Sequence, residues 1–289
     1  MAYEAQQLLP DRGRDTAHLG RTLAGIALVT VITAGLMLLW IFVISGLLFP
    51  GSMRPEGPSA GPLGMVLMLS TFLCPLVALA VAMRVLHRKG LGVLMGPAGL
   101  AWSQFWRVFL VQCAVLGVAL MLPSPEGVEP ERQMAVTRWL SWMPLALVLL
   151  AVQIGSEELM FRGYLQSRLA ARFRSPLLWV GVPAVLFALL HFNPAAGDNL
   201  WPILGVTFLY ALAAGDLTAR AGTLGPVMAL HFVNNFGSLM LFGASGGMEG
   251  LALYVYPADL SDPALLPGFG LEALLMLISW LGARVVLRR

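Results

Sequence analysis

Eight long apolar segments divide the sequence, and they constrain the fold more than any other feature. A helix needs about 20 apolar residues to cross the hydrocarbon core of a bilayer. The chain is 58% hydrophobic and 11% charged, which is not expected of a soluble globular protein. We therefore predict an all-α fold, a polytopic membrane helix bundle. The predicted transmembrane segments lie near residues 22–49, 62–86, 102–122, 139–162, 177–192, 201–219, 223–243 and 268–286.

The positions of the basic residues predict how the bundle is oriented. With the N-terminus inside and eight segments, fifteen of the eighteen Lys and Arg residues fall on the cytoplasmic side. Cytoplasmic loops carry such an excess, so the prediction is N-in/C-in. A seven-segment chain would place Arg288 and Arg289 outside. The fifteen residues are Arg12, Arg14, Arg21, Arg84, Arg88, Lys89, Arg107, Arg162, Arg168, Arg172, Arg174, Arg220, Arg284, Arg288 and Arg289.

The domain organisation that follows is simple. Residues 1–21 are predicted to be a cytoplasmic tail, and residues 22–289 a single transmembrane helical domain. The first apolar segment is too long for a signal peptide. The pI near 9.2 is explained by topology, so we expect the lipid bilayer and no nucleic acid as a partner. Arginine outnumbers lysine seventeen to one, a composition typical of a GC-rich genome, so the expected location is a bacterial cytoplasmic (inner) membrane.

The fourth apolar segment contains three charges within six residues, in the sequence QIGSEELMFRGYL at positions 153–165. A charge at the bilayer centre costs about 2.5–3.5 kcal/mol even on lenient scales. Glu158 and Arg162 are four residues apart, so on a helix they share a face and neutralise each other. Glu157 is rotated by about 100° and has no local partner. Proton chemistry is expected at such a buried carboxylate, although a structural salt-bridge network is the competing interpretation.

Two histidines interrupt other apolar segments at a similar depth. His191 ends the fifth segment, and His231 lies in the seventh with Asn235 four residues later on the same face. A rise of about 1.5 Å per residue places Glu157, His191 and His231 in the middle third of the membrane. Ionisable groups at that depth usually face a bundle interior or a cavity and mark a functional site. We therefore predict one shared polar site rather than three unrelated core residues.

These residue types fit several chemistries. A desolvated carboxylate can take a proton from water, a histidine can orient that water, and an imidazole and an amide can stabilise an oxyanion. This combination predicts a peptide hydrolase without a serine or cysteine nucleophile. Glu157, His191 and His231 could instead bind a divalent metal such as zinc, although HExxH is absent. A proton-coupled transporter and a non-catalytic membrane scaffold are the alternatives from other classes.

Three motifs in series resemble one protein family. Glu157 to Gly163 matches EExxxR, Phe187 to His191 matches FxxxH, and His231 to Asn235 matches HxxxN. In this order they resemble the CPBP intramembrane proteases, which include type II CAAX prenyl proteases and Abi or bacteriocin-processing relatives. The resemblance defines a protease-like core of about residues 139–243.

The resemblance implies an eight-helix membrane endopeptidase whose chamber opens toward the cytosol. It implies that Glu157 and His191 activate water, that His231 and Asn235 hold the oxyanion, and that Glu158 and Arg162 support them. A glutamate-based mechanism without a cofactor is preferred to a zinc-dependent one. The implied substrate is a protein or peptide, such as a membrane-anchored C-terminal sorting tail or a leader peptide.

Overall fold

The computed structural model describes residues 3–9, 15, 17–50, 53–54, 57–58, 61–122, 124, 129–246 and 248–288. Arg12, Arg14 and Arg289, used above in the charge count, lie outside these residues. The described residues form ten α-helices: α1 (Leu19–Trp40), α2 (Pro62–Ser70), α3 (Leu73–His87), α4 (Ala98–Ala119), α5 (Val136–Glu158), α6 (Ser167–Arg172), α7 (Val182–Leu189), α8 (Leu200–Ala221), α9 (Gly225–Phe236) and α10 (Leu266–Leu287).

The helices confirm the predicted all-α membrane bundle. Within the described residues, six helical stretches are long and apolar enough to cross a membrane: Leu19–Leu48, Pro62–His87, Ala98–Ala119, Val136–Arg172, Pro194–Ala221 and Pro263–Leu287. The fifth and seventh predicted segments correspond to shorter helices. The fifth is the apolar helix Leu177–Leu189, and the seventh is α9 with a π-helical extension through Leu241. The count of eight and the N-in/C-in orientation stay predictions.

The central helix is continuous from α5 into α6. A π-helical segment, Leu159–Gln166, joins the two, so the helix runs from residue 136 to residue 172. The helix thus extends ten residues beyond residue 162, the end predicted for the fourth segment. A Cβ atom at Gly163 would lie 2.9 Å from the Cβ of Leu94, so the absence of a side chain allows this close approach. Single-turn π segments are frequent at functional sites.

Small residues also bring α4 and α9 together. A Cβ atom at Gly225, the first residue of α9, would overlap the carbonyl oxygen of Ala101 in α4. Helices in membranes associate largely through van der Waals packing, and glycine lets their backbones approach closely. The contact fixes the position of α9, which carries His231 and Asn235.

One end of the bundle holds part of the predicted N-terminal tail. A short 3-10 helix, Glu4–Leu8, packs against α8, and Gln6 in it is buried. The hydroxyl of Tyr3 donates a hydrogen bond to Asp216 at 2.8 Å. Burial and this neighbouring carboxylate raise the pKa of the Tyr3 phenol. The segment is therefore anchored to the bundle, which its polar sequence did not indicate.

The opposite end carries a three-stranded sheet, which the sequence analysis did not predict. Strand β5 (Tyr254–Asp259) lies between β3 (Glu131–Arg132) and β4 (Phe242–Ser245). The pairing of β5 with β3 is antiparallel and its pairing with β4 is parallel. A separate antiparallel pair joins β1 (Met53–Arg54) and β2 (Gly57–Pro58). The three-stranded sheet covers this end of the helices.

Candidate active site

Glu158 is the centre of a buried polar cluster. Its side chain has no exposed surface, and its Oε1 accepts three hydrogen bonds. The donors are Nη1 of Arg162 at 3.1 Å, the hydroxyl of Tyr210 at 2.7 Å and Nδ1 of His231 at 2.7 Å. A buried charge is tolerated when it is both paired and hydrogen-bonded. The ion pair predicted between Glu158 and Arg162 from their spacing is therefore present.

The Arg162 guanidinium is held between aromatic rings as well as by its ion pair. Its central carbon lies 4.5 Å from the ring centroid of Phe187 and 5.4 Å from that of Tyr210. Such cation–π contacts strengthen when water is excluded, and Arg162 is almost fully buried. Arg162, in the π-helical segment that follows α5, therefore contacts both α7 and α8.

His231 bridges the two neighbouring glutamates. Its Nδ1 contacts Glu158, and its Nε2 lies 3.5 Å from Oε2 of Glu157. Because the ionised Glu158 can only accept, Nδ1 carries a proton. The Nε2 atom then either carries a second proton opposite an ionised Glu157 or accepts from a protonated Glu157. In both arrangements the charges of Glu157, Glu158, Arg162 and His231 sum to zero. One proton can move between Glu157 and His231.

Glu157 is more accessible than its neighbour. Its side chain is 16% exposed, against 0% for Glu158. Among the residues described, its Oε2 atom has no hydrogen-bond partner. The Oε2 atom of Glu158 likewise accepts no hydrogen bond from any described residue. The two adjacent acids therefore differ in exposure and in the three donors that contact Oε1 of Glu158. The different surroundings make Glu158 a supporting carboxylate and leave Glu157 available for proton transfer.

His191 lies in a turn just beyond α7, not inside a helix as the sequence indicated. The helix ends at Leu189, and the imidazole Nδ1 lies 2.9 Å from the carbonyl oxygen of Phe187. A carbonyl can only accept, so Nδ1 carries the proton and Nε2 of the neutral ring has a free lone pair. The residue is exposed and close enough to Glu157 for an electrostatic interaction.

Phe187 links the predicted site residues through its ring. The ring centroid lies 5.0 Å from that of His191 and 6.3 Å from that of His231. Both contacts come from one side chain, so the two histidines lie on the same side of the bundle. The structure thus brings Glu157, Glu158, Arg162 and the two histidines into one neighbourhood.

Asn235 lies one turn beyond His231 on α9 and is partly buried. In the part of the chain that is described, no hydrogen bond involves its side-chain amide. Its spacing from His231 places both residues on the same helix face. The amide is therefore free to donate to a bound molecule.

Tyr210 is the member of the cluster that sequence analysis missed. It lies in α8, is 5% exposed, and its ring centroid is 4.8 Å from that of His231. The sequence signal that could have identified Tyr210 is its position within the apolar segment 201–219. A buried tyrosine hydroxyl usually requires a hydrogen-bond partner, and the partner here is Glu158.

A zinc site at Glu157, His191 and His231 stays an untested alternative. Within the described residues, no group of three His, Cys, Asp or Glu side chains could hold a metal ion. His231 directs Nδ1 to Glu158, and His191 uses Nδ1 on a backbone carbonyl. We therefore derive no step through a metal.

A family model described as type II CAAX prenyl endopeptidase Rce1-like matches residues 138–237. The resemblance predicted from the three motifs is confirmed. The matched segment contains the whole polar cluster and covers about a third of the 289 residues. It runs from α5 to the start of the π segment that follows α9.

A curated relative supports the same region. The uncharacterised protein YyaK of Bacillus subtilis is 26% identical over 134 residues, which cover 45% of this chain and 44% of that protein. The chain therefore matches less than half the length of this relative. No solved structure matches the chain.

Proposed function

We propose that this membrane protein is an intramembrane endopeptidase in which Glu157 and the two histidines activate water. The observation that carries the proposal is the position of His231 between a fully buried Glu158 and a more accessible Glu157. This arrangement holds one mobile proton beside a carboxylate that retains acceptor capacity. Peptide hydrolysis requires such a proton to be taken from water and then returned to the leaving amine. The Rce1-like family match over residues 138–237 supports the same class of reaction.

The first step is attack by water on the scissile carbonyl carbon. With Glu157 ionised, its carboxylate accepts the water proton, and the free Nε2 of His191 orients the water. The new C–O bond forms as the carbonyl π electrons move to oxygen. The product is a tetrahedral oxyanion. A general base contributes about 10²–10⁴-fold to such a step.

The second step breaks the peptide C–N bond. The Nε2–H of the protonated His231 and the amide of Asn235 donate to the oxyanion. The electron pair of the oxyanion re-forms the carbonyl as the bond to nitrogen breaks. The proton held by Glu157 passes to the leaving amine, which restores the ionised carboxylate. Preorganised donors of this kind contribute about 2.7–4 kcal/mol each in other hydrolases.

The substrate class follows from the surroundings of the cluster. Because Glu157 lies in an apolar transmembrane helix, a soluble peptide would have to leave water to reach it. A peptide tethered to the membrane by an apolar anchor is already concentrated there. We therefore propose a membrane-anchored sorting tail or leader peptide as substrate, and a bacterial cytoplasmic membrane as the location.

The test is cleavage of a fluorogenic peptide with an apolar anchor by the full chain in proteoliposomes. Glu157→Gln is expected to lower kcat at least 100-fold, because glutamine cannot accept the water proton. Glu131→Gln, the same change at an exposed position in β3, is the matched control and is expected to retain wild-type cleavage. A Glu157→Gln variant that folds and cleaves normally would refute the assignment. Absence of cleavage by the wild type across a panel of anchored peptides would count against the peptidase itself.

A further inference from the structure

A second cavity lies outside the polar cluster, at the end of the bundle that the sheet covers. Its volume is about 840 Å³, within the range of small-molecule sites. It is bounded by α4, α9, α10 and strands β4 and β5. Its lining is mostly apolar and includes Leu116, Leu230, Val233, Leu275 and Met276. The cavity and the candidate active site use different faces of α9.

Glu272 is the one charged side chain among the described residues that line this cavity. It lies six residues after Leu266, the first residue of α10, which corresponds to about 9 Å along the helix. In the described part of the chain, no hydrogen bond or ion pair involves its carboxylate. Unlike the buried Glu158, Glu272 is exposed, so its carboxylate is accessible to a ligand. An acid inside a transmembrane helix usually has a partner, and without one it indicates a functional site.

Aromatic rings cover the same cavity from the sheet side. The ring centroid of Phe242 lies 5.7 Å from that of Tyr254 and 5.9 Å from that of Tyr256, and both pairs are stacked. All three residues line the cavity. The faces of aromatic rings attract cations, and groups of such rings bind alkylammonium ions in other proteins.

We propose that this cavity binds an amphiphile from the lipid phase that carries an alkyl chain and a single cationic ammonium headgroup. The headgroup would contact Glu272 and the aromatic rings, and the chain would lie against the apolar residues of α4 and α9. We assign a positive charge to the headgroup because the described residues that line the cavity include one acid and no Lys, Arg or His. An anionic amphiphile would place two negative charges together in a site of low polarity.

The experiment uses two photoreactive probes with the same diazirine-bearing alkyl chain, one ending in a primary ammonium and the other in a carboxylate. The full-length protein in nanodiscs is irradiated with each probe, and the labelled peptides are identified by mass spectrometry. We expect the ammonium probe to label the residues around 230–245 and 265–279 saturably, at least about tenfold more tightly than the carboxylate probe.

The variants distinguish a specific site from partition into the membrane. Glu272→Gln is expected to weaken ammonium labelling at least about tenfold, and Tyr254→Leu to weaken it about 2–5-fold. Glu131→Gln, an acid-to-amide change in β3 outside the cavity lining, is the matched control and is expected to have no effect. Equal labelling by both probes, or unchanged labelling of a folded Glu272→Gln variant, would overturn the proposal. Because the readout is binding, this outcome is independent of peptidase activity.

Discussion

Removal of the positive charge from the buried Glu158–Arg162 pair is expected to destabilise the bundle strongly. In Arg162→Met, the carboxylate of Glu158 keeps the hydroxyl of Tyr210 and the imidazole of His231 but loses its countercharge. The two side chains are 0% and 1% exposed, so water cannot replace the guanidinium. Loss of one partner of a buried pair costs about 3–5 kcal/mol. We expect the free energy of unfolding to fall by that amount.

A second ion pair in the same protein provides the matched control. Asp216 and Arg220 have the same i,i+4 spacing, but their side chains are 15% and 16% exposed. Partly hydrated pairs are worth about 0–1 kcal/mol. Arg220→Met is therefore expected to lower the free energy of unfolding by about 1 kcal/mol at most. The comparison separates the effect of burial from the chemistry of the substitution.

The assay is denaturant unfolding in mixed micelles, followed by tryptophan fluorescence. The double variant Glu158→Gln/Arg162→Met removes both charges, so we expect it to be about 1–3 kcal/mol more stable than Arg162→Met alone. Two results would refute the reasoning. One is a decrease in the free energy of unfolding for Arg162→Met that is no larger than the decrease for Arg220→Met. The other is a double variant as unstable as the single one, which would mean that the isolated charge was not the cause.

Three further predictions concern positioning, packing and topology. Tyr210→Phe removes one hydrogen bond to the buried carboxylate of Glu158. We therefore expect kcat for the anchored peptide to fall about tenfold or more, with little change in KM. If Tyr210 has only a structural role, the variant will change stability and leave kcat unaltered. Gly225→Ala should lower the free energy of unfolding by about 1–3 kcal/mol, because its Cβ overlaps the backbone of α4; Gly205→Ala, with open space around its Cβ, should be neutral or stabilising in the same assay. Cysteines introduced at Arg174 and Glu129 should react with a membrane-impermeant maleimide from the cytoplasmic and external sides respectively, and labelling of both from one side would contradict the eight-segment topology.

Much of the fold could be predicted from the sequence because bilayer spanning imposes a simple rule on length and polarity. Every apolar segment that was predicted corresponds to helix in the structure. The bounds differ by a few residues, except that the fourth helix runs ten residues further, to Arg172. The fifth segment is the instructive case. Its helix ends at Leu189, so His191 belongs to a turn. Hydropathy cannot distinguish a turn from a helix end when the residues around it are apolar.

The i,i+4 rule predicted the pairing of Glu158 with Arg162 because both residues lie on one helix. Contacts between helices were beyond such reasoning. The hydrogen bond from Tyr210 to Glu158 joins residues 52 positions apart, and that from His231 joins residues 73 positions apart. Their existence depends on how α8 and α9 pack against α5, which local spacing does not specify. The three-stranded sheet also depends on pairing between distant segments.

The sequence by itself determined that this is a helical membrane protein and which polar residues must find partners inside it. The physical reason is that lipid leaves backbone and side-chain polar groups no alternative but to pair within the protein. The tertiary structure alone decided which of two adjacent glutamates is fully buried and which remains accessible. It also placed Glu272 beside an aromatic-lined cavity, because that placement depends on three helices and a sheet meeting in space.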